Sequence, residues 1–230
     1  MAPAVVPVVV PFVFVHGAGG AGVHAWPLQA AAPEAGWHFL PRHAEGDDAA
    51  RDSRRVVDLL GSSGGGHVVA HSYGANAALL AAQARPDLVR SLALLEPACF
   101  DLARGMPAVE QHIADMGAVF ASASDPGLAD PDWFARFAAG MGFPPPTSWD
   151  DALSANAARL RRLAPPWGVG LRPALPARTL VLTAPSSPLY AETAESLVGL
   201  GAAHLTVAGA GHRVQDDPRA MDLLRDFWRS

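Results

Sequence analysis

Apolar positions in this chain fall into short unbroken runs separated by longer amphipathic stretches. Phe12-Val13-Phe14-Val15 is such a run, closed by His16-Gly17, and four consecutive apolar residues predict a strand buried on both faces. Trp37 to Pro41, His67 to Ala70, Ser91 to Leu95, Thr179 to Thr183 and His204 to Val207 predict five more strands. Between them, helical periodicity runs over Trp26 to Ala35 and over Asp47 to Leu60, the latter ending at the Gly61 to Gly66 turn. Helices are also predicted over Tyr73 to Ala84 and from Pro218 to Trp228. Strands alternating with helices imply an α/β fold with a mainly parallel sheet covered by helices on both faces.

The interval from Phe100 to about Pro173 breaks this alternation. It carries large apolar residues in helical pieces, among them Met116, Phe120, Trp133 and Phe137, together with the Pro144-Pro145-Pro146 run. A helical insertion between two sheet strands is expected to cover the strand ends as a lid. The chain therefore divides into a core, 1–99 and 174–230, and a lid, 100–173. A single aromatic residue in a lid is more often lid core than ligand contact, but Met116, Phe120, Trp133 and Phe137 together point to an apolar substrate pocket. No internal repeat is evident.

With 230 residues, half of them hydrophobic, the chain is long enough for one large core and short for two. The formal net charge of -5 and the lack of a basic cluster exclude nucleic acid as the expected partner. A small-molecule or carrier-bound acyl substrate is expected instead. Every basic residue is Arg, and the missing Lys excludes Schiff-base, phosphate-loop and Ser-Lys chemistry. Much of that bias, like the richness in Ala, Gly and Pro, fits genome composition. The single Cys99 cannot form an intrachain disulfide and suits a reducing, cytoplasmic setting, with a buried structural thiol as its expected role. Met1 to Val15 is apolar but lacks a basic leader region and is interrupted by Pro3, Pro7 and Pro11, so no export signal is expected. No apolar stretch reaches membrane-spanning length.

In wound α/β sheets, chemistry gathers at the carboxyl ends of the strands. Here those ends carry His16-Gly17-Ala18-Gly19-Gly20, Ser72, Glu96 and the Gly209-Ala210-Gly211-His212 loop. In Ala70-His71-Ser72-Tyr73-Gly74 an apolar strand breaks at a serine and continues as an alanine-rich helix. This resembles a nucleophile elbow, where the serine's strained corner demands small residues two before and two after it. Ala70 and Gly74 are those residues, with Ala70 where glycine is usual. His67 and His71 share the spacing of helical metal ligands, but on a strand and its turn that spacing does not converge, and no metal site or cofactor is expected. The glycine-rich loop from Gly17 is only loosely similar to a dinucleotide fingerprint.

Taken together, these motifs resemble the alpha/beta-hydrolase-fold serine hydrolases over nearly the whole length. The resemblance implies Ser72 as nucleophile and His212 as its base, in a loop that precedes the last helix. It implies an oxyanion hole built from the Ala18 and Tyr73 amides, the latter at a helix start. Gly17 and His71 would line the substrate site, His71 orienting the elbow, while His16 would stabilise its loop. The family usually places an Asp after the strand that follows the lid, yet Leu182 to Pro188 offers Ser187 there and no carboxylate. Glu96, on the preceding strand, is the expected third member, with Asp101 and Asp216 as fallbacks, Asp216 otherwise capping the last helix. A serine nucleophile argues against haloalkane dehalogenase and epoxide hydrolase, which use Asp. The absence of lysine argues against plant-type hydroxynitrile lyases. The expected activity is cleavage of an ester or thioester of a partly apolar molecule through an acyl-serine. Carbon–carbon bond hydrolysis remains open, and a non-hydrolytic cyclase, lyase or ligand-binding protein is the alternative on the same fold.

Overall fold

The computed structural model describes residues 9–41 and 48–230. The stretch Met1 to Val8, and Asp47, where the second helix was expected to start, lie outside the described residues. Six strands form one sheet: β1 (Phe12–Val15), β2 (Trp37–Phe39), β3 (Gly66–His71), β4 (Val89–Leu95), β5 (Arg178–Thr183) and β6 (Ala203–Thr206). Their order is β2-β1-β3-β4-β5-β6, and every neighbouring pair is parallel. Each expected strand is present, β1 with the expected bounds and the others with ends shifted by at most two residues.

The apolar runs are buried on both faces because helices cover both. Val13, Val15, Val68, Ala70, Leu92, Leu94 and Val181 point to one side and pack with α2 (Ala49–Gly61), α3 (Gly74–Ala84) and α7 (Pro188–Gly199). Their sequence neighbours Phe14, Val69, Ala93, Leu95 and Leu180 point to the other, toward Ala25 and Trp26, just before α1 (Pro27–Ala31), and α8 (Pro218–Arg229). This is the period-two alternation of a strand, invisible in hydropathy because both faces are apolar.

Local signals start the helices where they are needed. Proline, whose missing N–H costs nothing in a first turn, opens α1, α7 and α8. Asp48 caps α2, accepting from the amides of Ala50 and Arg51 at 2.7 and 3.2 Å. The helix expected over Trp26 to Ala35 is shorter, ending at Ala31.

Between β4 and β5 the chain leaves the sheet and forms α4 (Pro107–Ala121), α5 (Asp130–Gly140) and α6 (Asp151–Leu160), the helical insertion of a lid. Asp101 fastens its two ends. Its carboxylate accepts from the amides of Gly168, Gly170 and Leu171 at 2.5, 2.7 and 3.2 Å, joining the start of the insertion to its return. A second tie comes from α7, where Glu192 accepts from the Val109 amide in the first turn of α4 at 3.0 Å. No helix among the described residues is long and apolar enough to cross a membrane.

Candidate active site

β3 ends in His71, and the next residue, Ser72, has φ of 50°, a left-handed conformation that costs a side-chain-bearing residue roughly 1–3 kcal/mol. The corner is held from several sides. The Ser72 amide donates to Leu95 at 2.9 Å, and its carbonyl accepts from Ala98 at 3.1 Å. Asn76, fully buried in α3, donates from one amide nitrogen to the carbonyls of Tyr73 at 3.1 Å and Ala98 at 2.9 Å, tying the elbow to the segment after β4. Gly74 is required by space: a Cβ there would lie 2.5 Å from the His16 carbonyl oxygen and 2.8 Å from that of Val15.

Glu96, immediately after β4, repeats the device with φ of 46°. Its carboxyl is fully buried. One oxygen accepts from the Ala184 amide at 2.6 Å and the other lies 3.3 Å from His212 Nδ1. A buried carboxylate in contact with Nδ1 favours a proton on that nitrogen and leaves Nε2 as the basic one. His212 comes from the loop between β6 and α8, so acid and base meet across 116 positions of sequence.

The imidazole of His212 is held by its neighbours as well as by Glu96. His71 donates from Nε2 to the His212 carbonyl at 2.9 Å, and the two rings lie 4.8 Å apart. Burial first, and then the proximity of His212, lower the His71 pKa to about 3, so His71 is neutral and can keep this single tautomer. On another side the Tyr190 ring stacks on His212 at 4.9 Å and 25°.

Ser72 and His212 open onto one cavity of about 160 Å³, shared with Gly17, Ala18 and His71 and walled by Phe137. A second, larger space of about 320 Å³ meets it at His212 and is bounded by Glu96, Ser187, Tyr190 and Phe143. A narrow apolar recess of about 30 Å³ adjoins Ser72, Ala18 and Tyr73, with Phe100, Phe120 and Phe137 as its aromatic walls.

The fold is that of a wound sheet with a serine corner, and the sequence matches the Alpha/beta hydrolase family over residues 12–222. The chain belongs to this family. Among solved structures, this hydrolase-family chain is similar to NosK from Streptomyces actuosus at 28% identity, covering 96% of this chain and 98% of that one with a TM-score of 0.57. It also resembles 2-hydroxy-6-oxo-6-phenylhexa-2,4-dienoate hydrolase from Rhodococcus sp. strain RHA1 at 15% identity, covering 96% and 91%, with a TM-score of 0.58. An epoxide hydrolase from Bacillus megaterium reaches a TM-score of 0.64 at 12% identity, covering 96% and 94%. At such low identity the last two show the fold alone. No curated protein matches the sequence.

Sequence-predicted residues of this hydrolase-family chain fall into two groups. Ser72, His212, Glu96, Ala18, Tyr73, Gly17, His71, Phe120 and Phe137 gather around the connected cavities. Met116 and Trp133 do not. Both are fully buried inside the lid, Trp133 donating its indole N–H to the Val119 carbonyl at 3.0 Å and stacking behind Phe137. Of the two fallback acids, Asp101 closes the lid base, and Asp216 pairs with Arg213 at 2.6 Å while its neighbour Asp217 caps α8. His16 binds locally, its Nδ1 lying 2.9 Å from the Gly17 carbonyl. His67 contacts Ser91 Oγ at 2.7 Å and stacks on Phe12, away from His71.

Sequence reasoning missed Tyr190, Met141 and Phe143. Met141 and Phe143 lie in the Gly- and Pro-rich loop after α5, and only the packing brings them over the serine. Tyr190 had a signal that could have found it: it stands three residues after Ser187, in the segment where the family's missing carboxylate was sought.

Proposed function

We propose that this protein is a serine hydrolase acting on an ester or thioester of a partly apolar molecule, small or carrier-borne. The observation that carries the proposal is the line of chemistry from the buried Glu96 carboxylate through His212 Nδ1 to a cavity shared with the strained Ser72. In the first half-reaction Ser72 Oγ bonds to the substrate's carbonyl carbon while its proton passes to His212 Nε2. The carbonyl electron pair moves onto oxygen, where the Ala18 and Tyr73 amides serve as donors. Collapse of this intermediate breaks the bond to the leaving group, which takes the proton from His212. Water then repeats the sequence, giving a proton to His212, bonding to the acyl carbon and releasing Ser72, which recovers the proton.

Glu96 keeps the His212 proton on Nδ1 and stabilises the imidazolium formed twice per turnover. Apolar walls at Phe120 and Phe137 suit an apolar acyl portion and exclude water from the reacting carbonyl.

The test is a serine-directed fluorophosphonate followed by mass mapping. A single adduct on the peptide holding Ser72, lost in Ser72→Ala, together with hydrolysis of short-chain p-nitrophenyl esters, is the expected result. A wild-type protein that takes no label and cleaves no ester, while still binding apolar ligands, would instead be a lyase, cyclase or receptor on this fold.

A further inference from the structure

Tyr190 is one of only two tyrosines in the chain, and the other, Tyr73, follows the nucleophile. It occupies the first turn of α7, whose start is set by Pro188 and whose inner face is buried through Thr193, Ala194 and Leu197. The ring is therefore placed by a packed helix and not by a mobile loop, and its side chain is 5% exposed. Tyr190 meets every member of the Ser-His-Glu set. Its ring stacks on the His212 imidazole, it lines the same narrow recess as Ser72, and the Ser72 hydroxyl and the Glu96 carboxylate are both close enough to act on its phenol. It also forms a wall common to the space beside His212 and the recess beside Ser72.

Burial, and then the negative charge of Glu96, raise the phenol's pKa well above its ordinary value, so the hydroxyl keeps its proton throughout the working range. A neutral phenol has one proton to give. In the productive state the Ser72 proton must point to His212, which leaves Ser72 Oγ as acceptor and Tyr190 as donor.

We propose that Tyr190 is a further catalytic residue, donating its phenolic proton in a hydrogen bond to Ser72 Oγ while its ring fixes the plane of His212. The inference rests on Ser72 being the nucleophile. Its effect differs between the two half-reactions. During attack, the bond orients the serine proton toward His212 but draws electron density from Oγ, two effects that oppose each other. During release, Oγ is the departing atom and gains charge as its bond to the acyl carbon breaks, so a donor there assists. The proton that finally restores the serine still comes from His212, and the phenol keeps its own.

Tyr190→Phe preserves the ring and removes the donor. With p-nitrophenyl butyrate, kcat is expected to fall about tenfold, the rate equivalent of one neutral hydrogen bond. KM should fall with it, so that kcat/KM, which reports acylation, barely changes. A pre-steady-state burst should appear, with butyryl-Ser72 visible by mass after acid quench. Tyr190→Leu removes the stacking partner as well, and kcat/KM should then drop too. Unchanged kinetics in Tyr190→Phe, or an equal loss in kcat and kcat/KM with no acyl-enzyme, overturns the proposal whatever Tyr190→Leu does. Fluorophosphonate labelling of the wild-type protein separates the two layers. Absence of label at Ser72 removes the serine mechanism and Tyr190's role with it, whereas labelling with unchanged Tyr190→Phe kinetics removes the Tyr190 role alone.

Discussion

Ser72 and Glu96 end neighbouring parallel strands in the same left-handed conformation, φ of 50° and 46°, and are the two non-glycine residues with positive φ among those described. Each amide donates to a carbonyl near the end of the next strand, Ser72 to Leu95 and Glu96 to Leu182, both at 2.9 Å. Two identical corners, one strand apart, turn both side chains out of the sheet at its carboxyl edge. Ser72, the proposed nucleophile, and the buried carboxylate thus owe their positions to the same local device, and each strained corner is held by a hydrogen bond to the neighbouring strand.

Glu96→Gln is expected to keep the bond to the Ala184 amide while placing an NH₂ group against His212 Nδ1. That reverses the tautomer preference and leaves a protonated Nε2 facing Ser72. If the proposed Ser-His-Glu mechanism operates, kcat for a p-nitrophenyl ester should fall by roughly 10³- to 10⁴-fold with KM little changed, as for Ser-His-acid hydrolases in general. Ser187→Ala, in the segment that usually carries the acid, should cost less than about threefold in kcat. If Ser187→Ala proves the damaging change and Glu96→Gln the mild one, Glu96 is not the residue that holds His212.

The sheet was readable because its central strands carry continuous apolar runs, Phe12 to Val15, Val68 to Ala70, Leu92 to Leu95 and Leu180 to Leu182, between Gly, Pro and polar residues. Ser72 and His212 were readable because elbow and histidine-loop chemistry is local: small residues at fixed offsets, glycines before a helix. Glu96 was reached by finding no carboxylate between Leu182 and Pro188. Tyr190 was not reached, since its one local signal, a place three residues after Ser187, does not tell that a tyrosine in a first helical turn faces a serine 118 positions earlier. The lid misled for a similar reason. Its aromatics have the same spacing whether they face substrate or one another, and Met116 and Trp133 turned inward while Phe120 and Phe137 turned down.

The elbow's two small residues make different demands. Gly74→Ala would drive a methyl to 2.5 Å from the His16 carbonyl oxygen, and backbone on both sides leaves little room to relax. A loss of about 1–3 kcal/mol is expected, seen as a drop of several degrees in thermal midpoint, along with impairment of the proposed ester hydrolysis as the His16-Gly17-Ala18 loop is pushed away. Ala70→Gly should cost only about 0.5–1 kcal/mol, from strand entropy, and leave kcat within about twofold. A Gly74→Ala protein as stable and active as wild type would show that the corner is looser than its contacts indicate.

Acid should weaken the fold through two histidines that it holds neutral, the buried His71 and the partly buried His67. Burial, and then Arg90 and Arg178, lower the His67 pKa to about 4, while His71 sits at about 3. Unfolded, each takes up a proton near pH 6.5, so between that pH and the folded value the unfolded chain holds more protons. The stability these groups contribute is complete above pH 6.5 and is lost as pH falls toward 4 and below. The thermal midpoint of the wild-type protein should therefore decline from pH 7 to pH 4.5 more steeply than that of His67→Gln, measured by circular dichroism in matched buffers. Parallel declines would mean that His67 is protonated in the folded state as readily as in the unfolded one.

Lid core and pocket wall can be separated by one pair of substitutions. Met116 is fully buried against α5, where a Cβ on Gly140 would collide with its sulfur, so Met116→Ala removes packing and leaves a void. Losses of about 2–5 kcal/mol are usual for such changes, though a lid that opens as a separate unit would register the damage locally, as faster amide exchange in α4 and α5. Phe137 instead lines both the Ser72 cavity and the aromatic recess and is braced from behind by Trp133 at 5.3 Å. Phe137→Ala should raise KM for an ester with a bulky apolar acyl group about tenfold while changing KM for the acetate ester little, because only the larger group reaches the vacated wall. Amide exchange in α4 should stay near wild type. The reverse assignment, a KM effect from Met116→Ala and lid loosening from Phe137→Ala, would require the lid to sit over the serine in an orientation other than the one described.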